Sequence, residues 1–370
     1  MPERVLRAMA RPTIDHRGPE FQALGRSVLD GVRNLFRTTS PVVIYPASGT
    51  GAWEAALVNT LSPGDRVLMA DTGHFANLWR GVAEKLGLEV VALPGDWRRG
   101  AEPEALEAHL RADADRAVKA VCLVHSETST GVASRIPALR QAIDQADHPA
   151  LFMVDTISSL ASMDYRHDAW AVDVTVSASQ KGIMLPPGLS FTALSARALA
   201  AHAKARLPRS YWDWTAMLAA NEKGFFPYTP ATNLLYGLQE ALAMLAEEGL
   251  EQVFARHVRH AEATRAAVDA WGLELVCQHA EEYSASLTAV LMPEGCDADQ
   301  LRRAALDRYD LSLGVGLGRL AGKVFRIGHL GDFNDLSLIG TLAGVEMGLG
   351  HADIPHTAGG VQAAMAHLAA

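Results

Sequence analysis

Short apolar runs alternate with longer segments of helical pattern through the first half of the chain, and this alternation leaves few folds open. The runs predict strands near residues 42–46, 66–71, 88–93, 119–125, 150–155, 172–177 and 189–194. The segments between them predict helices near residues 52–61, 74–87, 103–113 and 136–146. Strands separated by helices usually pair in parallel, with helices covering both faces of the sheet. The pattern therefore predicts an α/β fold with a mostly parallel, seven-stranded sheet.

The pattern changes after Tyr228. Helix formers dominate residues 234–271, with a break at Gly249, and the remainder predicts strands near 285–291 and 323–328 and helices near 297–308 and 333–348. At 370 residues and 49% hydrophobic content, the chain is too long for one small core. We therefore predict a large domain over residues 12–235, a smaller α+β domain over 236–350 with residues 1–11 packing near it, and a tail over 351–370.

Lys181 follows the apolar run that begins at Val172, and Gly182 comes directly after it. Small and polar residues precede the lysine, which suggests a cramped and shielded pocket. Desolvation lowers the pKa of an amine and makes it a nucleophile toward carbonyl groups. Taken alone, Lys181 is better explained as a solvated lysine that merely ends a strand, and the neighbouring motifs are what favour the pocket.

Asp155 ends the buried apolar run 150–155. The carboxyl edge of a parallel sheet is where ligands bind, and a buried carboxylate needs a cationic or hydrogen-bonding partner. The protonated ring nitrogen of pyridoxal phosphate would be such a partner, since a lysine Schiff base and an aspartate at the pyridinium tune that cofactor. The alternative is that Asp155 caps the N-terminus of a following helix.

A possible phosphate cradle lies between the first strand and the first of these helices. The sequence Ser48-Gly49-Thr50-Gly51 occupies this turn, where backbone N–H groups and a helix dipole can meet an anion. Glycine is also common in such turns for steric reasons alone, so the motif gains weight only from its neighbours.

Six segments in order resemble the class V group of fold-type I pyridoxal-phosphate enzymes, and more closely the alanine/serine–glyoxylate aminotransferases. They are residues 48–51, 125–131, 154–155, 179–182, 228–230 and 324–328. The resemblance covers nearly the whole chain from Pro12 to Gly350. It implies a fold-type I pyridoxal-phosphate-dependent transferase, with a large sheet domain and a smaller α+β domain.

The resemblance also implies roles for individual residues. Lys181 would hold the cofactor as a Schiff base and move the proton, and Asp155 would bind the ring nitrogen. Phe75 would stack on the pyridine face, although it or His74 could instead be an ordinary packing residue. The remaining cofactor contacts would be Thr128 near the ring substituents, Ile157 on the opposite ring face, and Ser48, Gly49, Thr50 and Gln180 at the phosphate.

Arg326 lies within the apolar run Val324–Gly328. Burying an arginine without an anion is costly, and a guanidinium matches a carboxylate through two parallel hydrogen bonds. Arg326 is therefore the predicted clamp for the substrate α-carboxylate, and the alternative is a surface arginine on an edge strand. Arg319 and Lys323 are expected to face solvent.

The family is dimeric, and the resemblance implies a homodimer or a higher assembly. Thr229 would then reach the phosphate of the neighbouring subunit's cofactor. Phe226 stands where some relatives carry a tyrosine that contacts the phosphate, so Tyr228 is the candidate replacement. The aromatic residues Trp212 and Trp214 would lie near the interface or the active-site mouth, or else pack in the core.

The implied reaction moves the amino group of an L-amino acid to glyoxylate, which gives glycine and a 2-oxo acid, with ping-pong kinetics. Serine is the favoured donor, with hydroxypyruvate as its product; aspartate, 3-hydroxyaspartate and alanine are alternative donors. A second carboxylate would need another cation, for which Arg17, Arg33 and Arg37 are available. Two other classes stay open: a lyase or desulfurase, which would need a catalytic cysteine such as Cys277 or Cys296, and a cofactor-free binding protein.

Composition limits the possible partners. The net charge of −9 argues against nucleic acid. No apolar stretch reaches the roughly 18 residues needed to span a bilayer, and the N-terminus lacks the apolar core of a secretory signal. The three cysteines are odd in number, which favours reduced thiols and a cytoplasmic location. No histidine or cysteine spacing indicates a metal site.

Overall fold

The structure of the protein is a computed structural model, which describes residues 1–369. The helices are α1 (Glu3–Met9), α2 (Pro19–Phe36), α3 (Gly49–Thr60), α4 (His74–Lys85), α5 (Pro103–Ala112), α6 (Ile136–Gln145), α7 (Ala196–His202), α8 (Trp214–Asn221), α9 (Thr232–Glu248), α10 (Leu250–Ala270), α11 (Ala298–Tyr309), α12 (Asp335–His351) and α13 (Gly360–Ala369). The strands are β1 (Val42–Tyr45), β2 (Arg66–Ala70), β3 (Glu89–Leu93), β4 (Val118–Val124), β5 (Ser126–Glu127), β6 (Val132–Ala133), β7 (Leu151–Asp155), β8 (Val174–Ala178), β9 (Ser190–Leu194), β10 (Glu274–Leu275), β11 (Leu287–Leu291), β12 (Gly314–Val315) and β13 (Val324–Gly328).

The large sheet has seven strands in the order β1-β9-β8-β7-β4-β2-β3. Strands β2, β3, β4, β7 and β8 pair in parallel, whereas β9 runs antiparallel to both of its neighbours, β1 and β8. The prediction of a mostly parallel, seven-stranded sheet is confirmed. The direction of β9 was not predicted, because an apolar run that is buried on both faces carries no information about strand direction.

Both faces of this sheet are covered by helices. Along β1, Val42 and Ile44 belong to one hydrophobic core, and Val43 and Tyr45 belong to the other. One core includes the apolar faces of α2, α5, α6 and α9, and the other includes those of α3, α4, α7 and α8. Because successive side chains of a strand point to opposite faces, every residue of β1, β7, β8 and β9 is buried, whereas the edge strand β3 is largely exposed or half-buried. The buried strands β7 and β8 hold the groups at their ends in fixed positions.

A second sheet of four antiparallel strands follows, in the order β10-β11-β13-β12. It packs with α10 to α13 around a separate core that contains Phe325, Ile327 and Trp271. The predicted boundary at residues 235 and 236 falls inside α9, and the division into domains stays a prediction. Helix α1 packs on α9, where Arg4 pairs with Glu240 and Glu247. Helix α13, in the predicted tail, packs on α10.

A short hairpin, β5–β6, carries residues 126–133 between the two sheets: Gly131 lies against Leu287 and Ala289 of β11. Among residues 1–369, no helix is both long and apolar enough to cross a lipid bilayer.

Candidate active site

Asp155 is the last residue of β7, at the carboxyl edge of the large sheet, and it is 3% exposed. One carboxylate oxygen accepts the Ile157 N–H at 2.6 Å and the other accepts the Trp53 indole N–H at 2.9 Å. Burial raises the pKa of Asp155 to about 7 despite these two bonds. Residues 157–162 form turns rather than a helix, so Asp155 is not the cap of a following helix.

Lys181 follows β8, which pairs with β7, so the lysine lies at the same edge of the sheet. Gly182 packs tightly behind it, since a Cβ there would lie 2.4 Å from the Leu160 carbonyl oxygen. Burial lowers the pKa of Lys181, as does the positive charge of Arg326, while Asp155 opposes the shift. The lysine is thus a shielded amine near both a carboxylate and a guanidinium, and not a solvated strand end.

The turn 48–51 leads into α3, which starts at Gly49. The Ser48 side chain makes no capping bond to the helix, and Ser48 and Thr50 are both exposed. A Cβ at Gly49 would lie 2.2 Å from the Ile157 Cδ1 atom, so only glycine lets the helix begin against the segment that follows Asp155. The first turn of α3 therefore presents unpaired N–H groups beside Ile157.

Gln180 precedes the lysine, and its side-chain oxygen is buried without a hydrogen-bond partner among residues 1–369. A buried acceptor without a partner is uncommon in folded proteins and calls for a ligand or a water molecule. A phosphorylated ligand could form hydrogen bonds with both the Gln180 side chain and the uncapped start of α3.

Phe75 and Thr128 come from two segments that contact each other. Phe75 is the second residue of α4, and its ring packs edge-on against His74. The Thr128 hydroxyl lies 2.5 Å from the Ser158 hydroxyl, three residues beyond Asp155. The structure thus places Thr128 on the same turn region as Asp155 and Ile157.

Arg326 lies on β13, which is flanked by β11 and β12 and so is not an edge strand. Its Nε donates to the Val315 carbonyl at 2.9 Å, and one terminal nitrogen donates to the Thr128 carbonyl at 2.7 Å. A Cβ at the cross-strand residue Gly314 would lie 2.9 Å from the Arg326 Cβ and 3.1 Å from its Nε. Burial lowers the pKa of Arg326, which the charge of Glu127 partly offsets. The guanidinium therefore keeps donors available to a carboxylate.

Thr229 lies in an exposed loop that lines an open cleft of about 550 Å³ with His16 and Arg17. The Tyr228 hydroxyl donates to the Ser210 carbonyl at 3.0 Å, and its ring stacks on Tyr211. The remaining aromatic residues are divided: Trp214 is fully buried and donates to the Tyr45 hydroxyl, whereas Trp212 is only partly buried.

Arg319 was expected to face solvent, and its side chain is exposed. Its guanidinium is half exposed, but it donates to the Asp71 carboxylate at 3.0 Å and lies 4.0 Å from the centre of the Trp97 ring. The Asp71 carboxylate also accepts the Trp97 indole N–H at 2.6 Å. Arg319 therefore links the C-terminal part of the chain to the carboxyl end of β2.

Two residues at the site were missed from the sequence. Trp53, in α3, holds the Asp155 carboxylate, and Glu127, in β5, accepts N–H groups from the start of α4. Both partnerships join positions more than fifty residues apart, 102 for Trp53 and 51 or 52 for Glu127. The signal in the sequence was the carboxylate of Glu127 in the polar motif His125–Gly131, which directly follows an apolar strand-like run.

A lysine and a carboxylate at the carboxyl edge of a mostly parallel sheet, with a helix start beside them, are the arrangement of the fold-type I pyridoxal-phosphate enzymes. The fit to the cofactor is supported by the unpaired Gln180 oxygen, the uncapped start of α3 and the buried Asp155 carboxylate, which makes no ion pair within residues 1–369.

Comparison with known proteins agrees with this class. The aminotransferase class-V family model matches residues 5–318. The chain is 49% identical to the serine–glyoxylate aminotransferase of Methylorubrum extorquens, with 100% of this chain and 93% of that protein covered. It is 45% identical to the L-aspartate–glyoxylate aminotransferase of Paracoccus denitrificans, with 99% and 93% covered. The crystal structure of ureidoglycine–glyoxylate aminotransferase from Bacillus subtilis superposes with a TM-score of 0.93 at 28% identity, with 100% and 96% covered.

The chain belongs to the class V aminotransferase family. The predicted family, the fold-type I architecture, the aminotransferase class and the cofactor pyridoxal phosphate are thereby confirmed.

Proposed function

We propose that the protein transfers the amino group of L-serine to glyoxylate, which yields hydroxypyruvate and glycine. The observation that carries the proposal is the placement of the Lys181 amine within the electrostatic reach of both Asp155 and Arg326. A nucleophilic amine, a site for a positively charged ring and a carboxylate clamp are the three groups that amino-group transfer from an α-amino acid requires.

The proposed roles follow from the chemistry of each side chain. Lys181 tethers the cofactor and carries the proton to and from the substrate α-carbon, and burial, which lowers the pKa of its amine, favours this role. Asp155 pairs with the ring nitrogen, and when bound, pyridoxal phosphate supplies the electron sink for loss of the α-proton. The proposed contacts to the cofactor are Phe75 and Ile157 on the ring, Thr128 at the ring substituents, Ser48, Gly49, Thr50 and Gln180 at the phosphate, and Thr229 from a neighbouring subunit.

Arg326 binds the substrate α-carboxylate in this proposal. The Val315 and Thr128 carbonyls each accept a hydrogen bond from its guanidinium, so less side-chain freedom is lost when a substrate binds. The clamp also places the α-carbon at a fixed distance from Lys181, which is the orientation effect that accelerates proton transfer.

Serine is preferred to aspartate as donor because two of the three candidate second cations, Arg33 and Arg37, are occupied. Arg33 pairs with Asp30, and Arg37 pairs with Asp164 and Glu251. Arg319 is bound to Asp71. Aspartate stays the second candidate on one observation, the 45% identity to the Paracoccus denitrificans L-aspartate–glyoxylate aminotransferase. Arg17, which lines the same cleft as Thr229, is the cation that such a donor would use across a subunit boundary.

We further propose a homodimer in a reducing, cytoplasmic setting. The exposure of Thr229 beside an open cleft supports a contact with a second subunit. The three cysteines are all free thiols. Burial raises the pKa of Cys277 to about 11, which is unsuited to the thiolate chemistry of a desulfurase.

Half-reaction spectra test the proposed reaction. The cofactor-loaded protein is mixed with single amino acids, and conversion of the Schiff-base absorbance to that of pyridoxamine phosphate is followed. Serine is expected to cause the fullest conversion, and added glyoxylate is expected to reverse it. Lys181→Ala is the control, in which the Schiff-base band is absent. Conversion by aspartate but not serine would assign the second candidate, and failure of glyoxylate to reverse the change would refute the acceptor.

A further inference from the structure

Glu127 is a buried carboxylate that the reaction above does not use. It is 1% exposed and lies in β5, next to Thr128. One of its oxygens accepts N–H groups from Phe75 at 3.3 Å and Ser129 at 3.0 Å and the Ser129 hydroxyl at 2.7 Å. The other accepts the Ala76 N–H at 3.0 Å. Both oxygens of the Glu127 side chain therefore act as hydrogen-bond acceptors, for four donors in all.

These contacts make Glu127 the cap of α4. The residue before the helix is Gly73, which has no side chain with which to cap it. Two of the orphan N–H groups of the first turn, those of Phe75 and Ala76, are instead bound by Glu127 from a strand about fifty residues away. The fit is close, because a Cβ at Gly73 would lie 2.3 Å from the Glu127 Cγ atom.

The capped turn carries Phe75, whose ring is proposed above to contact the cofactor. Phe75 is bound through its own N–H, so the position of Glu127 sets the direction in which its side chain leaves the helix. The Ser129 hydroxyl accepts the His74 N–H at 2.9 Å and ties the same turn to the Thr128 segment. The negative charge of Glu127 also acts on two other site groups: it adds to the rise that burial causes in the pKa of Asp155, and it opposes the fall that burial causes in the pKa of Arg326.

We propose that Glu127 is a positioning residue: by capping α4 from β5 it holds Phe75 against the cofactor ring and joins that turn to Thr128. The inference rests on the proposed function only in the role given to Phe75. It identifies a residue that contacts neither substrate nor cofactor and yet controls how tightly the cofactor is held.

Glu127→Gln is the test, because the amide keeps the shape but turns a donor toward N–H groups that need an acceptor. Loss of one hydrogen bond to a charged group predicts cofactor binding weakened by about tenfold or more. We also expect a shifted Schiff-base absorbance band. The matched control is Glu282→Gln, since Glu282 is equally buried and also accepts a backbone N–H, that of Gly100 at 2.6 Å.

The readouts are the dissociation constant of pyridoxal phosphate, the absorbance spectrum of the bound cofactor and the unfolding free energy of the cofactor-free protein. Glu282→Gln is expected to lower the unfolding free energy while leaving the cofactor affinity and spectrum as in the wild type. If Glu127→Gln fails to fold, the Ser129→Ala variant tests the proposal instead. It is expected to bind pyridoxal phosphate more weakly than the wild type, by a smaller factor than Glu127→Gln. Unchanged affinity and spectrum in the folded variant, or equal losses in the control, would overturn the proposal. A wild type that binds the cofactor but does not use serine would refute the proposed substrate and leave this inference standing.

Discussion

Replacing Asp155 with asparagine is expected to stabilise the cofactor-free protein at neutral and alkaline pH, although the carboxylate is proposed to serve the cofactor. Asp155 is 3% exposed and has only two neutral N–H donors, so its ionised form is poorly compensated. Burial raises its pKa from 3.8 to about 7. In the unfolded chain the same carboxyl is fully solvated and ionises near its ordinary pKa.

The sign and size of this change in stability follow from the linkage between proton binding and folding. Between the two pKa values the folded protein retains a proton that the unfolded chain has lost, so stability falls as the pH rises through this window. The fall is complete above about pH 7, where both states are ionised. The difference between 3.8 and about 7 corresponds to ~4 kcal/mol, at about 1.4 kcal/mol for each tenfold change in acidity. An asparagine does not titrate, so the Asp155→Asn variant does not lose stability as the pH rises through this window.

Chemical unfolding of the wild type and of Asp155→Asn, both without cofactor, measures the effect between about pH 4 and pH 8. The amide turns its NH₂ group toward one of two donors, which costs roughly 1–3 kcal/mol at every pH. The stability of the variant relative to the wild type should nevertheless rise by ~4 kcal/mol across the range. Saturating pyridoxal phosphate should suppress this rise, because its ring nitrogen supplies the missing cation. A difference that does not change with pH would refute the reasoning.

Three further outcomes are expected. Arg326→Gln should raise the KM for serine by roughly 10- to 100-fold, the value of a hydrogen bond between charged groups, and an unchanged KM in steady-state assays would remove Arg326 as the clamp. Gly49→Ala places a methyl group 2.2 Å from the Ile157 Cδ1 atom and should weaken cofactor binding in a titration, whereas Gly81→Ala, in open space on α4, should not. Alkylating reagents at neutral pH should leave activity intact at Cys277, whose pKa is about 11, and inactivation traced to that thiol by mass spectrometry would contradict the assignment.

The parts of the fold that depend on short stretches of sequence were predictable. Each of the seven predicted strands of the large sheet has a counterpart in β1, β2, β3, β4, β7, β8 and β9, because short apolar runs between helical segments have one common solution. The antiparallel course of β9 was not predictable from the same information. Its pairing with β1 and β8 depends on where the chain returns to the sheet, not on which residues it contains.

The candidate site divides in the same way. Lys181 and Asp155 stand at strand ends in the sequence itself, and the direction of a parallel sheet brings such ends together. The partners of Asp155 and the contacts of Glu127 depend on helices α3 and α4 packing against distant segments. Arg319 shows the same limit: the polar loop indicated an exposed side chain, which it is, but not its contact with Trp97.

The absence of a side chain at Gly314 affects how a mutational survey of this protein would be interpreted. The residue does not occupy a left-handed conformation, yet any side chain there would collide with Arg326 across the strand pair. A saturation library would therefore score position 314 as intolerant and place it beside the true ligand-binding positions. Measuring both carboxylate affinity and thermal stability for each variant would show which positions affect binding before stability. Comparing the two would separate Gly314, which only leaves room for Arg326, from the residues that contact a substrate.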